Sequence, residues 1–549
     1  MDTKLLAAAL LALVPACVQE GETLELQAGD YTKVDANGGK ADSSVEAIFL
    51  DFAFEGQVVA SSSFFVESAI EDQLLYTIGH LNQDNSLGRL DQVQLSNIRT
   101  ESAGNGRVLV TYEATMPVAW GQRDNVPTSY DFALPRDIST AGQNAFADRY
   151  SHDCVDFGAH DVTSGNMWYY YRPERSGCTI ADADLVRFTA DVSVSAINTT
   201  GKYPEYHKVW EDDVFNVVAV FGKYEDFATS NTDAGISAYN SFTRSVGSML
   251  RSNDLTTVPA TVPSSPGVAV PEVSFMATLA DGRSIQVTAL LVDNIRTADA
   301  TFNARYAELT GDADLIAYNG HAGLGANVRA LAGKGRWEPG QYAMVFINGC
   351  DTYAYIDSAL ADAHSAINPD DPNGTKYLDI VTNAMPSFFH SMSGATLALM
   401  RGLMEVENPR TYEQMFANID DAEVVLVSGE QDNVFVPGFD GGGDDGGDDG
   451  ASDWDGLRES GTVARNEEDR FVTPKLAAGR YVFEITGSND ADLYVRTGAA
   501  PTTTTYECRP YKTGSDESCI VDLASDAEIH VMVRGYSSSS SYELSGETL

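Results

Sequence analysis

The sequence is short of positive charge. It contains 35 lysines and arginines against 80 aspartates and glutamates, which gives a formal net charge of −45 at pH 7. A surface of that sign repels phosphate backbones, so the composition argues against a nucleic-acid partner. With 549 residues the chain is long enough for several domains. The acidic composition suits an exported protein and leaves calcium open as a ligand; no other cofactor is expected.

Long apolar runs are scarce as well. The amino-terminal run from Leu5 to Val14 follows Lys4 and is too short to span a bilayer stably. It is followed by Pro15, Ala16 and Cys17, and this stretch resembles a bacterial lipobox, in which the cysteine is lipidated and becomes the first residue. The sequence therefore predicts a signal peptide over residues 1–17 and attachment to the outer membrane or cell surface through Cys17. Ordinary signal-peptidase cleavage is the alternative.

Cysteine is rare, with six residues in the chain. Export permits disulfides, and the positions of the cysteines predict two bridges, Cys154 with Cys178 and Cys508 with Cys519. If Cys17 carries a lipid, Cys350 is left over. An odd thiol in an oxidising compartment is a candidate reactive group. The alternative is a buried, inert cysteine.

The rest of the chain divides into segments of different character. We predict a tether (18–44), an α+β domain (45–208), an α/β domain (209–436), a Gly/Asp linker (437–456) and a small β-sandwich (457–549). The order of elements in the α+β domain suits a ferredoxin-like unit. Alternating strands and helices in the α/β domain predict a mostly parallel sheet with helices on both faces. The linker cannot bury apolar area, which favours a solvated spacer over a calcium-responsive hinge.

Two neighbouring apolar runs of the α/β domain end in reactive side chains. Asp314–Gly320 leads directly to His321, and Ala343–Gly349 leads directly to Cys350. Short apolar runs closed by glycine are typical of buried parallel strands. Ligands and catalytic groups gather outside the carboxyl ends of such strands. The sequence therefore predicts an imidazole and a thiol at one edge of the sheet, as a cysteine nucleophile requires.

This pair of runs resembles the caspase–gingipain–legumain group of cysteine peptidases (clan CD). In that group one strand ends in His-Gly and a second ends in a small residue followed by the catalytic cysteine. The second half is matched here by Ile347–Cys350, whereas Ala322 stands after His321 where the group has glycine. The resemblance implies a caspase-like fold, with Cys350 as nucleophile and His321 as general base and then acid. It also implies an oxyanion site at the backbone N–H groups of Ala322 and Cys350.

Several neighbours of the pair have candidate roles. Gly320 and Gly349 would let the substrate backbone approach. Asn319 could orient His321, although a turn-forming role is favoured. Asp351 could line a pocket, although a helix cap is favoured. The sequence does not support selectivity for basic side chains, because Asn348 stands where some relatives place an acid.

The carboxyl-terminal segment carries a second resemblance. Asp490–Val495, Cys508–Tyr511, Glu517–Cys519 and Val531–Tyr536 together resemble the bacterial pre-peptidase C-terminal domain, a β-sandwich appended to secreted peptidases. The resemblance implies no catalysis in this segment, but it raises the expectation that a peptidase precedes it.

Other histidines are less favoured as catalytic groups. His390 is expected in an apolar core and His364 on a surface helix. A metal cluster at His152, Cys154, His160 and Asp161 is disfavoured, because tetrahedral sites have tighter paired spacing. We therefore predict an exported cysteine endopeptidase that acts on protein or peptide substrates without a metal. The rival is a catalytically inactive caspase-like surface lipoprotein that serves as a binding or adhesion module, which the His321-Ala322 pair favours.

Overall fold

The structure is a computed structural model. It describes residues 43–548 except 160, 196, 200, 386, 421, 430–434, 438–453, 455, 477–478, 513 and 524–526. The chain forms two compact units, Met1–Asp440 and Gly441–Leu549. The predicted signal peptide, Cys17 with its lipid, nearly all of the tether and most of the Gly/Asp linker lie outside the described residues. Among the described residues, no helix is both long and apolar enough to cross a membrane.

The first part of the larger unit is an antiparallel sheet with helices. Its strands are β1 (Ser43–Ser44), β2 (Ile48–Ala60), β3 (Ser86–Gly88), β4 (Gln94–Gly104), β5 (Arg107–Trp120), β6 (Ser129–Pro135) and β7 (Leu185–Val194). Its helices are α1 (Val66–Leu74), α2 (Tyr76–Asn82), α3 (Thr140–Tyr150) and α4 (Met167–Tyr170). The sheet order is β3-β5-β2-β7-β6, with β4 also paired to β5, on the same edge as β3, while β1 belongs to the second sheet.

This part is α+β, as predicted. Every strand pairing in the sheet is antiparallel, and β4, β5, β2 and β7 lie in the order of a ferredoxin-like sheet, to which β6 adds an edge strand. The aromatic run Met167–Tyr170 forms a short helix rather than the predicted strand, and all four of its residues are buried. Cys154 and Cys178 form the predicted disulfide.

The second part of the larger unit contains the predicted α/β alternation. Its strands are β8 (Val214–Gly222), β9 (Asp254–Val258), β10 (Glu272–Thr278), β11 (Ser284–Val292), β12 (Leu315–Asn319), β13 (Ala343–Asn348), β14 (Leu378–Asn383) and β15 (Val425–Ser428). Its helices are α5 (Tyr206–Val209), α6 (Ala234–Met249), α7 (Ala300–Thr310), α8 (Ala326–Lys334), α9 (Ala359–Ser365), α10 (Phe389–Leu403) and α11 (Tyr412–Phe416).

The second sheet has a parallel centre and antiparallel edges. Its order is β1-β15-β14-β13-β12-β8-β11-β10-β9. Five neighbouring strands, β11, β8, β12, β13 and β14, are parallel. The outer strands pair antiparallel. After β8 the chain forms β9, β10 and β11 on one side of that strand and then crosses to β12 on the other. The order therefore reverses at β8 and β12, and ligands bind at such a switch point in open α/β sheets.

Both faces of the second sheet are covered, as predicted for a mostly parallel sheet. On β8, Val217, Ala219 and Phe221 join one apolar core together with side chains of α6 and α10. The alternate residues Val218 and Val220 join the opposite core. That second core also contains side chains of α7 and α8 and most of the buried residues of the first sheet. The predicted segments 45–208 and 209–436 therefore share one continuous core in the structure.

The smaller unit is the predicted β-sandwich. Its strands are β16 (Leu457–Ala464), β17 (Glu468–Val472), β18 (Gly479–Ser488), β19 (Ala491–Thr497), β20 (Glu517–Leu523), β21 (Ile529–Gly535) and β22 (Ser539–Thr548). They form a four-stranded sheet, β16-β22-β18-β20, and a three-stranded sheet, β17-β21-β19. Apolar side chains of both sheets make one core, and Cys508 and Cys519 form the predicted disulfide.

Candidate functional site

His321 and Cys350 leave the second sheet at the same edge. Strands β12 and β13 are parallel neighbours, and their last residues, Asn319 and Asn348, are register partners. The Gly320 N–H donates to the carbonyl oxygen of Asn348 at 3.2 Å, so the pairing continues past the strand ends. His321 follows β12, at the switch point of the sheet, and Cys350 follows the adjacent strand β13. Their common edge agrees with the sequence prediction.

The same aromatic side chains surround both residues. The His321 ring centroid lies 5.3 Å from that of Tyr224 and 5.2 Å from that of Phe389. Cys350 is in a small buried cluster with Phe389 and Met392, against which Tyr224 packs. His321 is 4% exposed and Cys350 is 1% exposed. The site is therefore closed to solvent in this conformation.

The hydrogen bonds of His321 define its tautomer. Nε2 lies 2.9 Å from the carbonyl oxygen of Tyr224. A carbonyl only accepts, so Nε2 carries the proton of the neutral ring and Nδ1 carries the lone pair. The backbone carbonyl of His321 accepts from the Tyr318 hydroxyl and from Asn327 Nδ2, each at 2.8 Å. These contacts hold both the ring and the backbone of His321.

The sulfur of Cys350 lies 3.6 Å from the carbonyl oxygen of Ser387. The sequence predicts that the Cys350 thiol is unpaired, whereas in the structure its sulfur is part of a disulfide. A thiolate is the attacking species in cysteine catalysis. Any nucleophilic role of Cys350 therefore requires reduction of that bond.

The glycines of the site serve the packing of the two strand ends. A Cβ atom on Gly349 would lie 2.8 Å from the Gly320 oxygen and 3.2 Å from the Ala322 nitrogen. A Cβ atom on Gly320 would lie 2.9 Å from the Tyr318 hydroxyl. Both glycines are buried. The absence of their Cβ atoms therefore lets the two strand-end loops pack closely and does not make room for a substrate backbone. The Ala322 nitrogen thus lies close to Gly349, the residue before Cys350.

The Asn319 side chain bonds the neighbouring strand end and α10. Its Oδ1 accepts from Asn348 Nδ2 at 2.9 Å and from Thr396 at 3.0 Å. Asn383 Nδ2 in turn donates to Asn348 Oδ1 at 2.8 Å. Three successive strands thus end in asparagines that bond one another beneath the site. Asn348 lies in this row, which is fully buried, so it does not face a substrate pocket.

A buried carboxylate fixes the helix that covers Cys350. Glu423 Oε1 accepts from the Phe388 N–H at 3.2 Å and from the Ser387 and Ser391 hydroxyls. Burial raises the pKa of Glu423, and the hydrogen bonds from Ser391, Phe388 and Ser387 oppose that effect. Glu423 therefore holds the start of α10, which carries Phe389, in place over the sulfur.

Asp351 takes neither of its predicted roles. It is 0% exposed, and no hydrogen bond of its side chain caps the short turn Thr352–Tyr355 that follows. Its Oδ2 instead accepts from Asn82 Nδ2 at 3.0 Å. The sequence does not reveal this contact, because Asn82 belongs to the first sheet region, that is, the first part of the larger unit (residues 45–208).

Two other histidines differ from prediction. His364 is buried, with 1% exposure, and its ring packs 4.9 Å from that of Trp337, so it is not on a surface. His390 is exposed and lies 3.7 Å from Asp420, outside the apolar core. Neither is recorded in contact with Cys350.

Tyr224 was also missed, although a signal for it exists. The apolar run of β8 is closed by Gly222, which is the pattern that identified the other two strand ends.

Apart from this edge, a groove of about 520 Å³ lies on the first sheet region and includes Arg107, Arg136 and Arg149. Arg107 and Arg149 are paired with Asp137 and Asp184.

Comparison with known proteins bears on the smaller unit. The family model of the bacterial pre-peptidase C-terminal domain matches residues 470–535. The smaller unit is a bacterial pre-peptidase C-terminal domain. A solved structure with that domain, from a Bacillus anthracis collagenase, is 14% identical, with a TM-score of 0.14, and covers 17% of this chain and 88% of that chain.

Two curated relatives are proteases of different chemical classes. A protein of Helicobacter pylori named "Zinc metalloprotease" is 40% identical over 82 residues, 15% of this chain and 32% of that protein. "Alkaline serine exoprotease A" of Vibrio alginolyticus is 51% identical over 51 residues, 9% of this chain and 10% of that protein. The chain thus spans a third or less of either relative. The similarity is confined to the pre-peptidase C-terminal domain, which therefore does not identify a catalytic mechanism.

Within the part of the chain that the structure describes, the residues do not fit a zinc centre, because no three His, Cys, Asp or Glu side chains are grouped as metal ligands. Cys154, from the cluster weighed in the sequence, is in a disulfide, and His152 bonds Asp153. We derive no catalytic step through a metal.

Proposed function

We propose that this protein is an exported endopeptidase that hydrolyses peptide bonds with Cys350 and His321. The observation that carries the proposal is the register of β12 and β13, which brings an imidazole and a sulfur to one edge of the sheet at its switch point. The pre-peptidase C-terminal domain supports a protease, since proteins that share it carry protease names. The clan CD resemblance of the strand ends supports the cysteine mechanism.

The proposed reaction begins once Cys350 is reduced. His321 accepts the thiol proton at Nδ1, and the thiolate attacks the scissile carbonyl carbon. The C–N bond then breaks, and the imidazolium gives its proton to the leaving amine. Water, activated by the same imidazole, hydrolyses the thioester and regenerates the thiol. Backbone N–H groups of Ala322 and Cys350 would stabilise the oxyanion.

Access to the site requires a conformational change. Cys350 and His321 are almost fully buried under Phe389 and Tyr224. A polypeptide substrate therefore cannot reach the sulfur until the aromatic side chains or the start of α10 move. Such closing elements are common in enzymes. The described conformation is the closed form of the proposed enzyme.

A non-catalytic surface protein is the second candidate. The burial and the disulfide of Cys350 favour it, as does Ala322 in place of glycine. In that case the same sheet edge would be a structural core, and the protein would act as a binding or adhesion module. Attachment through a lipid on Cys17 is proposed separately, and it requires that the Cys17 sulfur takes part in no disulfide.

Peptide cleavage separates the two candidates. The purified full-length protein is incubated with a peptide library, with and without a thiol reductant, beside Cys350→Ala and His321→Ala. The peptidase proposal expects reductant-dependent cleavage that both variants lose. His390→Ala, at an exposed histidine, is the matched control and should cleave normally. Equal cleavage by Cys350→Ala, or none by the reduced wild type, contradicts the proposal.

A further inference from the structure

The residue that follows the candidate nucleophile is held by a distant part of the chain. Asp351 has a left-handed backbone, with φ of 54°, a conformation that aspartate tolerates better than most residues. Its carboxylate is completely buried. A buried charge is costly unless it is paired or hydrogen-bonded. The partners of this carboxylate therefore decide whether the turn after Cys350 is stable.

Those partners all belong to the first sheet region. Asn82, the last residue of α2, donates to Oδ2 at 3.0 Å. Tyr169 of α4 and Arg172 also act on the carboxylate, and together with Asn82 they oppose the increase in pKa that burial causes. Arg172 is fixed in turn, because its guanidinium donates to the Gly79 and Tyr169 carbonyls at 2.6 and 3.2 Å.

The rest of the turn packs on the same region. The ring of Tyr353 lies 6.2 Å from that of Phe49, in β2. The ring of Tyr355 lies 6.4 Å from that of Trp168, in α4. Asn383 N and the Ile347 carbonyl hold Thr352 from the other side, through its hydroxyl. The segment after Cys350 is thus fixed between the second sheet and the first sheet region.

We propose that the hydrogen bond from Asn82 to Asp351 positions Cys350, which makes residues 45–208 a permanent part of the site rather than a removable prosegment. The inference rests on the proposed function, since it concerns the same sulfur. Asn82 and Asp351 are positioning residues here, because neither touches the reacting atoms.

The physical basis is the short distance between the carboxylate and the sulfur along the chain. Without Asn82 the buried carboxylate loses its direct donor, and the turn would shift to bring the charge toward water. A displacement of about 1 Å in a catalytic group costs up to roughly 100-fold in rate. Loss of this contact can therefore lower the reactivity of Cys350 by more than the free energy of a single hydrogen bond suggests.

The protonation state of Asp351 provides a second way to change the position of Cys350. Burial raises the pKa of Asp351 to about 6, while the hydrogen bond from Asn82, the charge of Arg172 and the nearby Tyr169 hydroxyl oppose that increase. Tyr355 faces the same carboxylate and stays protonated, because burial and the Asp351 charge raise its pKa. Asp351 is thus the group of this cluster that titrates near neutrality.

The test measures the reactivity of Cys350 in the full-length protein. After mild reduction, iodoacetamide labelling at Cys350 is followed by mass spectrometry from pH 5 to pH 8. Peptide cleavage is measured in parallel as kcat and KM. The variants are Asn82→Leu and Asp351→Asn. Gln73→Leu is the control, since it removes a buried amide that bonds Gln57, Pro135 and Tyr112 in the same region without touching Asp351.

We expect Asn82→Leu to lower the labelling rate and kcat roughly 10- to 100-fold with KM nearly constant, and Gln73→Leu to change them less than twofold. Asp351→Asn keeps a side-chain oxygen for Asn82 and should remove the inflection near pH 6 from the labelling profile. Melting temperatures show whether each variant is folded; if Asn82→Leu is not, the Asp351→Asn profile decides.

Two results would overturn the inference. They are a folded Asn82→Leu that labels like wild type, and an Asp351→Asn profile that keeps the wild-type inflection. Failure of the proposed function gives a different result. A reduced wild type that is labelled normally but cleaves no peptide leaves the positioning role standing and removes the peptidase.

Discussion

Asn348 donates to Asn319 across the ends of two parallel strands, at 2.9 Å from Nδ2 to Oδ1. Asn383, at the end of the next strand, donates to Asn348 in the same way. Because all three amides are buried, each strand end has its neighbour's side chain as a hydrogen-bond partner. The row fixes the relative heights of the segments that carry His321 and Cys350.

Replacement of Asn348 should therefore destabilise the sheet edge. Asn348→Ala removes the nearer acceptor of the Asn383 amide and of the Ser387 hydroxyl, at 2.8 and 2.6 Å, and loss of the partner of a buried donor costs about 1–3 kcal/mol. We expect the free energy of unfolding, measured by urea denaturation, to fall by about 3 kcal/mol. Asn418→Ala, at an exposed site with one backbone bond, should change it by under about 0.5 kcal/mol. Equal effects would contradict the role of the row.

Removal of the Cys154–Cys178 disulfide should affect the candidate site as well as stability. The bridge closes a loop of 24 residues, and a bridge of that size contributes roughly 3 kcal/mol. The closed loop contains Tyr169 and Arg172, which act on Asp351. We expect the Cys154→Ala/Cys178→Ala variant to melt at lower temperature and to label more slowly at Cys350. The Cys508→Ala/Cys519→Ala variant is the control; it should leave the labelling rate unchanged, since that bridge is in the other unit.

Two buried histidines should make the fold sensitive to acid. Burial lowers the pKa of His364 to about 4 and that of His80 to about 3. Since the unfolded chain binds these protons near pH 6.5, it takes up more protons than the folded chain below that pH. Stability should thus be full above pH 6.5 and fall as the pH drops toward 4. Each histidine accounts for roughly 3 kcal/mol of that loss.

His364→Phe tests this pH dependence directly. Within the described residues neither ring nitrogen of His364 has a hydrogen-bond partner, so a phenyl ring can replace it against Trp337 at little cost. We expect melting temperatures to be similar at pH 7 and higher than wild type at pH 5. His390→Phe, at an exposed histidine, should follow the wild-type profile. A wild-type slope in His364→Phe would contradict the assignment.

The smaller unit should be dispensable for the folding of the larger one. Its core contains side chains from residues 454–544 alone, and the chain divides at Asp440. We expect a protein truncated after Asp440 to keep the thermal transition of the larger unit within about 2 °C, because domains with separate cores fold independently. Differential scanning calorimetry of both proteins measures this. A truncated protein without a cooperative transition would contradict independent folding.

The strand ends at His321 and Cys350 could be predicted from sequence because the signal is local. Each is an apolar run closed by glycine, and parallel strands bring such ends to one edge. The β-sandwich and both predicted bridges were readable for the same reason, since alternation and cysteine spacing are short-range patterns. Met167–Tyr170 shows the limit. A short apolar run does not distinguish a strand from a buried helix.

The contacts that hold the site could not be predicted in this way. Asn82 and Asp351 are separated by 269 positions, and no periodicity relates them. Asp351 reads as a helix cap because aspartate commonly has that role before a turn, and only the first sheet region gives it a different partner. The sequence predicts His364 on a surface helix for a similar reason, since its ring packs on Trp337, which lies on another segment.

The two-residue strand β1 has a consequence for the solubility of the molecule. Ser43 and Ser44 pair with Val427 and Leu426 of β15, and the Ser44 hydroxyl donates to the Val425 carbonyl at 2.7 Å. A bare β15 would offer its backbone groups to any extended chain, which is how sheets recruit one another into aggregates. The start of the described chain blocks that flank, so damage to residues 43–44 should promote oligomer formation before it alters the fold.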